Sequence, residues 1–139
     1  MLEKQSLVWL VNEFDFISEY LAPLAGPGGL GLKDDAAILK PRDGMDLILT
    51  KDTMVEGVHF PTNDYGTSLS SKLLRVNLSD LAAKGAIPVG YLLSVALPKT
   101  VGGKFFKDFR DGLKEIQNLF DFNLLGGDTV VTDGQIVIT

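Results

Sequence analysis

The stretch that decides the fold covers residues 70–98 and reads SSKLLRVNLSDLAAKGAIPVGYLLSVALP. At about 100° per residue, the turn of a helix, its first half forms one wide apolar arc. The members of this arc are Leu73, Leu74, Val76, Asn77, Leu78 and Leu81. Asp80 falls inside the arc, between Leu73 and Val76. A carboxylate that faces a core is costly unless it is paired, hydrogen-bonded or bound to a cation, so the pattern predicts a partner for Asp80.

The second half of this stretch predicts the end of the helix and a strand after it. Gly85 tolerates the left-handed conformation that ends many helices, and Pro88 lies just beyond. Residues 91–97 are rich in leucine without clean alternation, which is typical of a strand covered on both faces. We therefore expect this strand at the centre of a sheet.

Further elements follow towards the C-terminus. Helical spacing is shown by Phe106, Phe109, Leu113, Ile116 and Phe120. Residues 122–125 predict a strand that ends in a Gly126-Gly127 turn, and residues 135–139 predict another after a turn at 132–134. Because the pattern stops within a strand, we expect a truncated product or one domain of a longer protein.

The N-terminal third predicts a helix, a loop and a hairpin. Residues 5–21 have helical spacing and are followed by Pro23. The glycines of residues 22–33 lack the Walker spacing, so a flexible loop is expected, with a phosphate cradle as the alternative. Residues 36–39 and 47–50 predict two strands around a turn at 41–44.

Composition bounds the class of protein. The 139 residues are 45% hydrophobic, which is enough for one domain with its own core. The formal charge of −5 disfavours nucleic acid and anionic membranes as partners. The absence of cysteine excludes disulfides and fits a cytoplasmic location. The sequence contains no signal peptide pattern and no apolar run of the about 18 residues that a membrane span needs.

Four aspartates stand at the ends of apolar segments or inside the helical arc, namely Asp35, Asp52, Asp80 and Asp128. Converging carboxylates repel one another unless cations neutralise them. Oxygen ligands favour Mg²⁺, Mn²⁺ or Ca²⁺, and Mg²⁺ commonly completes its shell with water and substrate phosphates. The pattern indicates phosphoryl transfer, in which positioning and metal ions replace a covalent nucleophile.

Each candidate also has a structural interpretation. Asp35, Asp52 and Asp128 could instead be turn, cap or surface residues. Asp80 could be a buried residue bonded to backbone amides or to Lys84. His59, beside Glu56, is a general base, a phosphate ligand or a structural residue. Gly126-Gly127 either presents backbone N–H groups to an anion or forms a turn.

Four segments resemble, in order and spacing, the N-terminal half of the thiamine-monophosphate kinase family. They are GLKDDAAIL at 31–39, TKDTMVEGVHF at 50–60, VNLSDLAAKGAIP at 76–88 and LGGDT at 125–129. The superfamily is that of aminoimidazole ribonucleotide synthetase and selenophosphate synthetase. The combination of VEGVHF with NLSDLAA favours the thiamine kinase over its relatives.

The resemblance implies transfer of the γ-phosphoryl group of ATP to thiamine monophosphate, which gives thiamine diphosphate. It implies direct in-line transfer, several Mg²⁺ ions and no covalent nucleophile. By motif position, the expected metal ligands are Asp35, Thr50, Asp52, Asp80 and Asp128. The same positions make His59 the expected substrate contact, and Gly127 with Asp128 the expected ATP contact.

Two residues depart from the family pattern. Lys33 stands where glycine is expected, and Lys51 stands where many members have Ser or Thr. Lys51 still serves if the family ligand there is a main-chain oxygen, whereas one ligand is lost if it is a hydroxyl. Family members also carry a C-terminal domain, so residues 1–139 are expected to be an ATP- and Mg-binding N-terminal domain with little or no kinase activity alone.

The expected fold is α+β, a mostly antiparallel sheet backed by helices, and the resemblance implies a homodimer whose sheets join in a barrel. Two other functions remain open. One is a related ATP-dependent synthetase, which the lack of a catalytic cysteine and of a glycine-lysine motif disfavours. The other is a non-catalytic dimerisation module with aspartates at surface or cap positions.

Overall fold

The computed structural model describes residues 13–34, 36–62 and 66–139. The helices of this part of the chain are α1 (Glu13–Phe16), α2 (Thr67–Ala83) and α3 (Gly103–Phe120). The strands are β1 (Met54–Val55), β2 (Gly90–Pro98), β3 (Asn123–Thr132) and β4 (Val137–Ile138). A π-helical turn, Ile17–Leu21, and 3-10 turns at Ala22–Leu24 and Pro27–Leu32 follow α1. None of the helices described is long and apolar enough to cross a membrane.

The strands form one mixed sheet in the order β1-β4-β2-β3. β2 and β3 pair in parallel along their length, with α3 as the crossover between them. β4 pairs antiparallel with β1 on one side and with β2 on the other. The predicted α+β class is confirmed, and so is the inner position of β2. Two of the three pairings are antiparallel, but the longest pairing is parallel.

The core lies between the sheet and the two long helices. Helix α3 supplies its apolar stripe as predicted, and Phe16 packs against Phe106 with 4.6 Å between ring centroids. The largest fully buried side chains include Phe16, Leu97, Phe106, Phe109, Leu113, Ile116, Leu124, Ile136 and Ile138. Burying each of these contributes about 1.5–3 kcal/mol relative to leaving it exposed. This core fixes the sheet that carries the candidate site.

A polar chain joins β2, α3 and the 3-10 turns. The Tyr91 hydroxyl donates to Gln117 Oε1 (2.8 Å), and Gln117 Nε2 donates to the Leu24 carbonyl oxygen (3.0 Å). Burial raises the pKa of the Tyr91 phenol well above its usual range, because the anion would lose its hydration. Hydrogen bonds therefore hold together three elements that lie far apart in sequence.

The predicted hairpin at 36–50 is wrong. A turn does form at Asp43-Gly44, where Met45 N donates to the Arg42 carbonyl oxygen (3.1 Å), but neither flank is a strand. The apolar side chains there are exposed, and Leu49 is 86% exposed. An apolar run becomes a strand only where backbone partners meet it, and among the described residues the sheet offers none.

Two other details differ from the sequence predictions, and a third is confirmed. Strand β2 buries alternate residues, such as Leu93 and Val95, whereas Leu92 is 65% exposed, so one face is open. The glycine-rich residues form ordered 3-10 turns that hydrogen-bond to β3 through Gly26 N and the Leu124 carbonyl oxygen (2.9 Å). The helix ending at Gly85 is confirmed, since that residue has φ +66°. Residues 5–12 of the predicted first helix lie outside the described residues.

Asp80 does not face the core. It is exposed, because α2 buries only Leu69, Ser70, Leu73 and Leu74, all in its first half. Helical spacing gives the side of α2 on which Asp80 lies, but it does not give how far along the helix axis the neighbouring elements extend. The predicted burial of this carboxylate is therefore wrong.

Candidate functional site

A cleft of about 760 Å³ lies beside the parallel pair of strands. Its walls come from β2, β3, the turns after α1 and the segment around Asp34. The residues that line it along β3 run from Leu124 to Thr129 and include Gly126, Gly127 and Asp128. The cleft thus lies between the β2–β3 pair and the glycine-rich segment, which are distant in sequence.

Gly127 lies inside β3 and not in a turn, contrary to the prediction. It pairs with Leu93, after a bulge at Leu125 that shifts the register. A Cβ atom at Gly127 would lie 1.7 Å from the Leu93 carbonyl oxygen, and its φ is +157°. Only glycine fits, because both constraints come from backbone. The bare strand lets other groups approach the cleft closely.

Acidic and hydroxyl groups line the cleft beside this glycine. Asp128 is exposed and stands opposite Ser94 in the β2–β3 register. Asp34 and Glu13 reach the same space from the other wall. Among the residues that the structure describes, the lining of the cleft includes carboxylates and no basic side chain, which attracts cations, so a phosphorylated ligand would need a bound cation or backbone N–H groups to enter it.

A second pair of expected ligands is in contact outside this cleft. Thr50 Oγ1 donates a hydrogen bond to Asp80 Oδ2 over 3.1 Å, although 30 residues separate them. Asp52 is partly buried two residues further on. Nearby, Thr53 and Thr139 share a 3.0 Å hydrogen bond between their hydroxyl groups, which ties this segment to the end of β4. The fold therefore brings two predicted oxygen ligands together.

The fit to Mg²⁺ is partial. Within residues 13–34, 36–62 and 66–139, no three carboxylates or imidazoles stand close enough to hold a metal ion. Asp35 lies outside the described residues, and Asp52, Asp80 and Asp128 do not form one group. Thr50 and Asp80 still match the chemistry of Mg²⁺, which often takes one or two carboxylates and fills its shell with water and phosphate.

His59 belongs to a tight turn between β1 and α2. The ring Nδ1 of His59 accepts a hydrogen bond from the Val55 backbone N–H (3.0 Å), and the backbone N–H of His59 donates to the Val55 carbonyl oxygen (2.9 Å). The ring is exposed. Glu56 is instead buried, at 7% exposure, and its Oε2 accepts from Ile136 N (3.0 Å). Glu56 thus anchors the turn, and His59 is presented outwards.

Two residues at these sites escaped the sequence analysis. Lys72 Nζ donates to the His59 carbonyl oxygen over 2.6 Å, a contact that joins α2 to the turn after β1. Ser94 lines the cleft, and the signal was the one serine within the largely apolar strand β2. The contact of Lys72 has no comparable local signal in the sequence.

The fold and the cleft define a class: an α+β domain whose glycine-containing parallel strand lines an acidic cleft. Comparison with known families agrees, since the family model described as AIR synthase related protein, N-terminal domain, matches residues 33–139. The chain belongs to this family, and the resemblance predicted from its four segments is confirmed.

Several relatives of this chain are thiamine-monophosphate kinases. The thiamine-monophosphate kinase of Caulobacter vibrioides is 50% identical over 130 residues, which are 92% of this chain and 37% of the relative. The crystal structure of the Stenotrophomonas maltophilia thiamine-monophosphate kinase is 38% identical, with a TM-score of 0.69 over 77% of this chain and 34% of that one. A structure described as AaThiL complexed with AMPPCP and TMP is 29% identical, with a TM-score of 0.60 over 63% and 28% of the two chains. The chain spans less than half the length of these relatives.

Proposed function

We propose that this chain is the ATP-binding N-terminal domain of a thiamine-monophosphate kinase. Such an enzyme transfers the γ-phosphoryl group of ATP to thiamine monophosphate and so completes thiamine diphosphate biosynthesis. The observation that carries the proposal is the cleft at Gly127-Asp128, where the sequence motif expected to contact ATP phosphates lines a cavity of about 760 Å³. The relative bound to AMPPCP and TMP supports this choice of ligands.

The proposed reaction needs no side-chain nucleophile. A phosphate monoester is largely dianionic near neutral pH, because its second pKa is about 6, so its oxygen attacks the γ-phosphorus directly. The new P–O bond forms as the bond between the γ-phosphorus and the β–γ bridging oxygen breaks, and ADP leaves with that oxygen. Gly127 allows the nucleotide phosphates to approach the β3 backbone, and Asp128 stands beside them. His59 contacts the acceptor phosphate.

Magnesium is the proposed cofactor, as several ions for which Asp35, Thr50, Asp52, Asp80 and Asp128 would supply the oxygen ligands. Bound there, Mg²⁺ would supply positive charge that offsets the charge developing during transfer. The Thr50–Asp80 hydrogen bond supports part of this set, since it places two oxygen ligands side by side.

Calorimetry with AMPPCP tests the nucleotide site directly. We expect binding that depends on Mg²⁺, and we expect Asp128→Asn to weaken it about tenfold, the worth of one charge-assisted contact. Asp133→Asn is the matched control, because Asp133 is exposed in the turn after the same strand. Absence of binding with or without Mg²⁺ would contradict the proposal and favour a non-catalytic module.

A chimera tests the acceptor. This chain would replace the corresponding part of the Caulobacter vibrioides kinase, with which it aligns over 130 residues. We expect the chimera to phosphorylate thiamine monophosphate and to ignore thiamine and aminoimidazole precursors, whereas the chain alone shows little or no turnover. Preference for another acceptor would favour a related synthetase.

A homodimer is the proposed assembly, with the two sheets joined in a barrel. It is supported by the exposed apolar side chains of residues 38–49, because contiguous exposed apolar surface commonly marks an interface. Light scattering should give the mass of two chains, and Leu49→Lys should give one. Ile87→Lys, at a residue 79% exposed outside this segment, should leave the mass unchanged. The cytoplasmic location stays a prediction.

A further inference from the structure

A buried glutamine near the end of α3 holds the chain that leads into one wall of the cleft. Gln117 is 7% exposed. Its Nε2 donates to the Leu24 carbonyl oxygen (3.0 Å), and its Oε1 accepts from the Tyr91 hydroxyl (2.8 Å). Because 93 residues separate Gln117 from Leu24, this contact depends on the whole fold.

The two neighbours of Gln117 need different groups. The Leu24 carbonyl oxygen can only accept, so it must face the amide nitrogen. Burial raises the pKa of the Tyr91 phenol, so its hydroxyl keeps a proton to donate to the amide oxygen. A buried polar atom left without a partner is costly. Gln117 therefore supplies one donor and one acceptor, each where a neighbour requires it.

The chain that follows Leu24 lies directly against the start of β3. Gly26 N donates to the Leu124 carbonyl oxygen over 2.9 Å. A Cβ atom at Gly26 would lie 2.6 Å from Asn123 Cβ, so glycine is what permits this close approach. We call residues 24–29 the docked segment, and the Gln117 contact lies at its first residue.

The docked segment in turn holds the wall of the cleft that faces β3. Ile38 N donates to the Gly28 carbonyl oxygen over 2.9 Å, which ties the chain around residues 36–38 to the docked segment. Asp34 and Ala37 line the cleft on this side. A displacement at Leu24 would therefore move a carboxylate-bearing wall relative to β3.

We propose that Gln117 is a positioning residue of the nucleotide site: by holding Leu24, it sets the distance between the wall that carries Asp34 and the strand that carries Asp128. It acts through the backbone of the docked segment and not by contact with the ligand. The inference rests on the proposed function, because it assigns how the proposed nucleotide site keeps its shape.

Amide hydrogen exchange followed by NMR tests this positioning without any need for activity. Gln117→Met keeps the length of the side chain and removes both polar atoms. Exchange at Gly26 and Ile38 should become about tenfold faster relative to Leu113, the worth of one buried hydrogen bond. Leu113 is fully buried in α3, so it reports on the helix and the core. Equal acceleration of all three amides, or no change in any of them, would overturn the inference.

If Gln117→Met does not fold, Gln117→Glu gives the comparison through a pH profile. The protonated acid has an acceptor for Tyr91 and a donor for Leu24, whereas the carboxylate has no donor. The ratio of exchange at Gly26 to exchange at Leu113 should therefore rise with pH in Gln117→Glu and stay flat in the unaltered chain. The raised pKa of the Tyr91 phenol keeps that neighbour protonated through the same range. A flat ratio in the variant would overturn the inference.

Calorimetry with AMPPCP and Mg²⁺ tests the link to the ligand. Gln117→Met should weaken binding by about threefold or more, because apparent affinity falls with the fraction of chains that hold the wall in place. Asn118→Met, at the exposed next residue of α3, should change neither the exchange nor the affinity. Faster exchange at Gly26 with unchanged affinity would overturn the inference and leave the proposed function intact. Absence of AMPPCP binding to the unaltered chain would overturn the proposed function and the inference together.

Discussion

Replacing Gly127 by alanine should separate the two parallel strands of the sheet. The new Cβ atom would lie 1.7 Å from the Leu93 carbonyl oxygen, 2.6 Å from its carbonyl carbon and 2.9 Å from its nitrogen. All three atoms are backbone, so no side-chain rotation relieves the contact. The strands must move apart by more than an ångström before such a contact becomes tolerable.

The cost follows from two sources. Overpacking in a well-packed interior costs about 1–3 kcal/mol, and the hydrogen bonds lost from the β2–β3 ladder cost about 1 kcal/mol each. We therefore expect Gly127→Ala to lower the free energy of unfolding by about 3–5 kcal/mol, a large part of the about 5–15 kcal/mol of a typical domain. AMPPCP affinity should fall as well, because Gly127 lines the cleft.

The adjacent Gly126 supplies the matched control. A Cβ atom there would meet only Leu92 Cδ2, at 3.6 Å, which is an ordinary contact. Urea unfolding followed by circular dichroism measures both variants, with equal slopes against denaturant as the check on two-state behaviour. If Gly127→Ala unfolds within about 0.5 kcal/mol of Gly126→Ala, the scatter of neutral surface substitutions, the close approach of the strands is refuted.

The remaining predictions concern other parts of the molecule. Gly112→Ala should lower the free energy of unfolding by at least about 2 kcal/mol through overpacking, since its Cβ would lie 2.4 Å from the Thr67 carbonyl oxygen. Gly103→Ala should be neutral, and thermal unfolding compares the two variants. Above about pH 10 the folded state keeps the Tyr91 phenol protonated, whereas the phenol ionises in the unfolded chain. The free energy of unfolding should therefore decline as the pH rises above that value. Tyr91→Phe should flatten this decline, which urea unfolding at a series of pH values measures. Thr50→Val should change the unfolding free energy by less than about 0.5 kcal/mol but should weaken Mg²⁺-dependent AMPPCP binding in calorimetry.

Local sequence patterns predicted the helices and strands that bury one face and expose the other. Helix α3 is the clearest case, because Phe106, Phe109, Leu113 and Ile116 recur at helical spacing and are all buried. The strand at 91–97 was predicted because it is apolar and bounded by turn residues. Its open face was not predicted, since exposure of Leu92 depends on what covers the sheet and not on the strand itself.

Errors arose where a residue type has two uses. Gly126-Gly127 is typical of a turn, but here glycine serves a close approach between parallel strands, which only the pairing with Leu93 reveals. Residues 36–50 have the composition of strands, yet strand formation requires a partner that composition does not specify.

The residues of the candidate site were predicted mainly from sequence motifs and only partly from patterns of burial and charge. Asp80 drew attention through an expected burial that is wrong, yet it contacts another predicted ligand, Thr50. The contacts of Lys72 and Ser94 could not be predicted, because each joins segments whose relative placement is set by the whole fold. Side chains within one motif are readable from sequence, and contacts between motifs are not.

The position of β4 bears on how the protein is made. It is the last described strand in sequence, yet it lies between β1 and β2. On the ribosome, β2, α3 and β3 can assemble as a unit of neighbouring segments, while β1 waits for residues 137–138 to emerge. The segment that carries His59 should therefore acquire its native geometry only after residues 137–138 have left the ribosome, and a chain stalled before that point would expose it to chaperones and proteases.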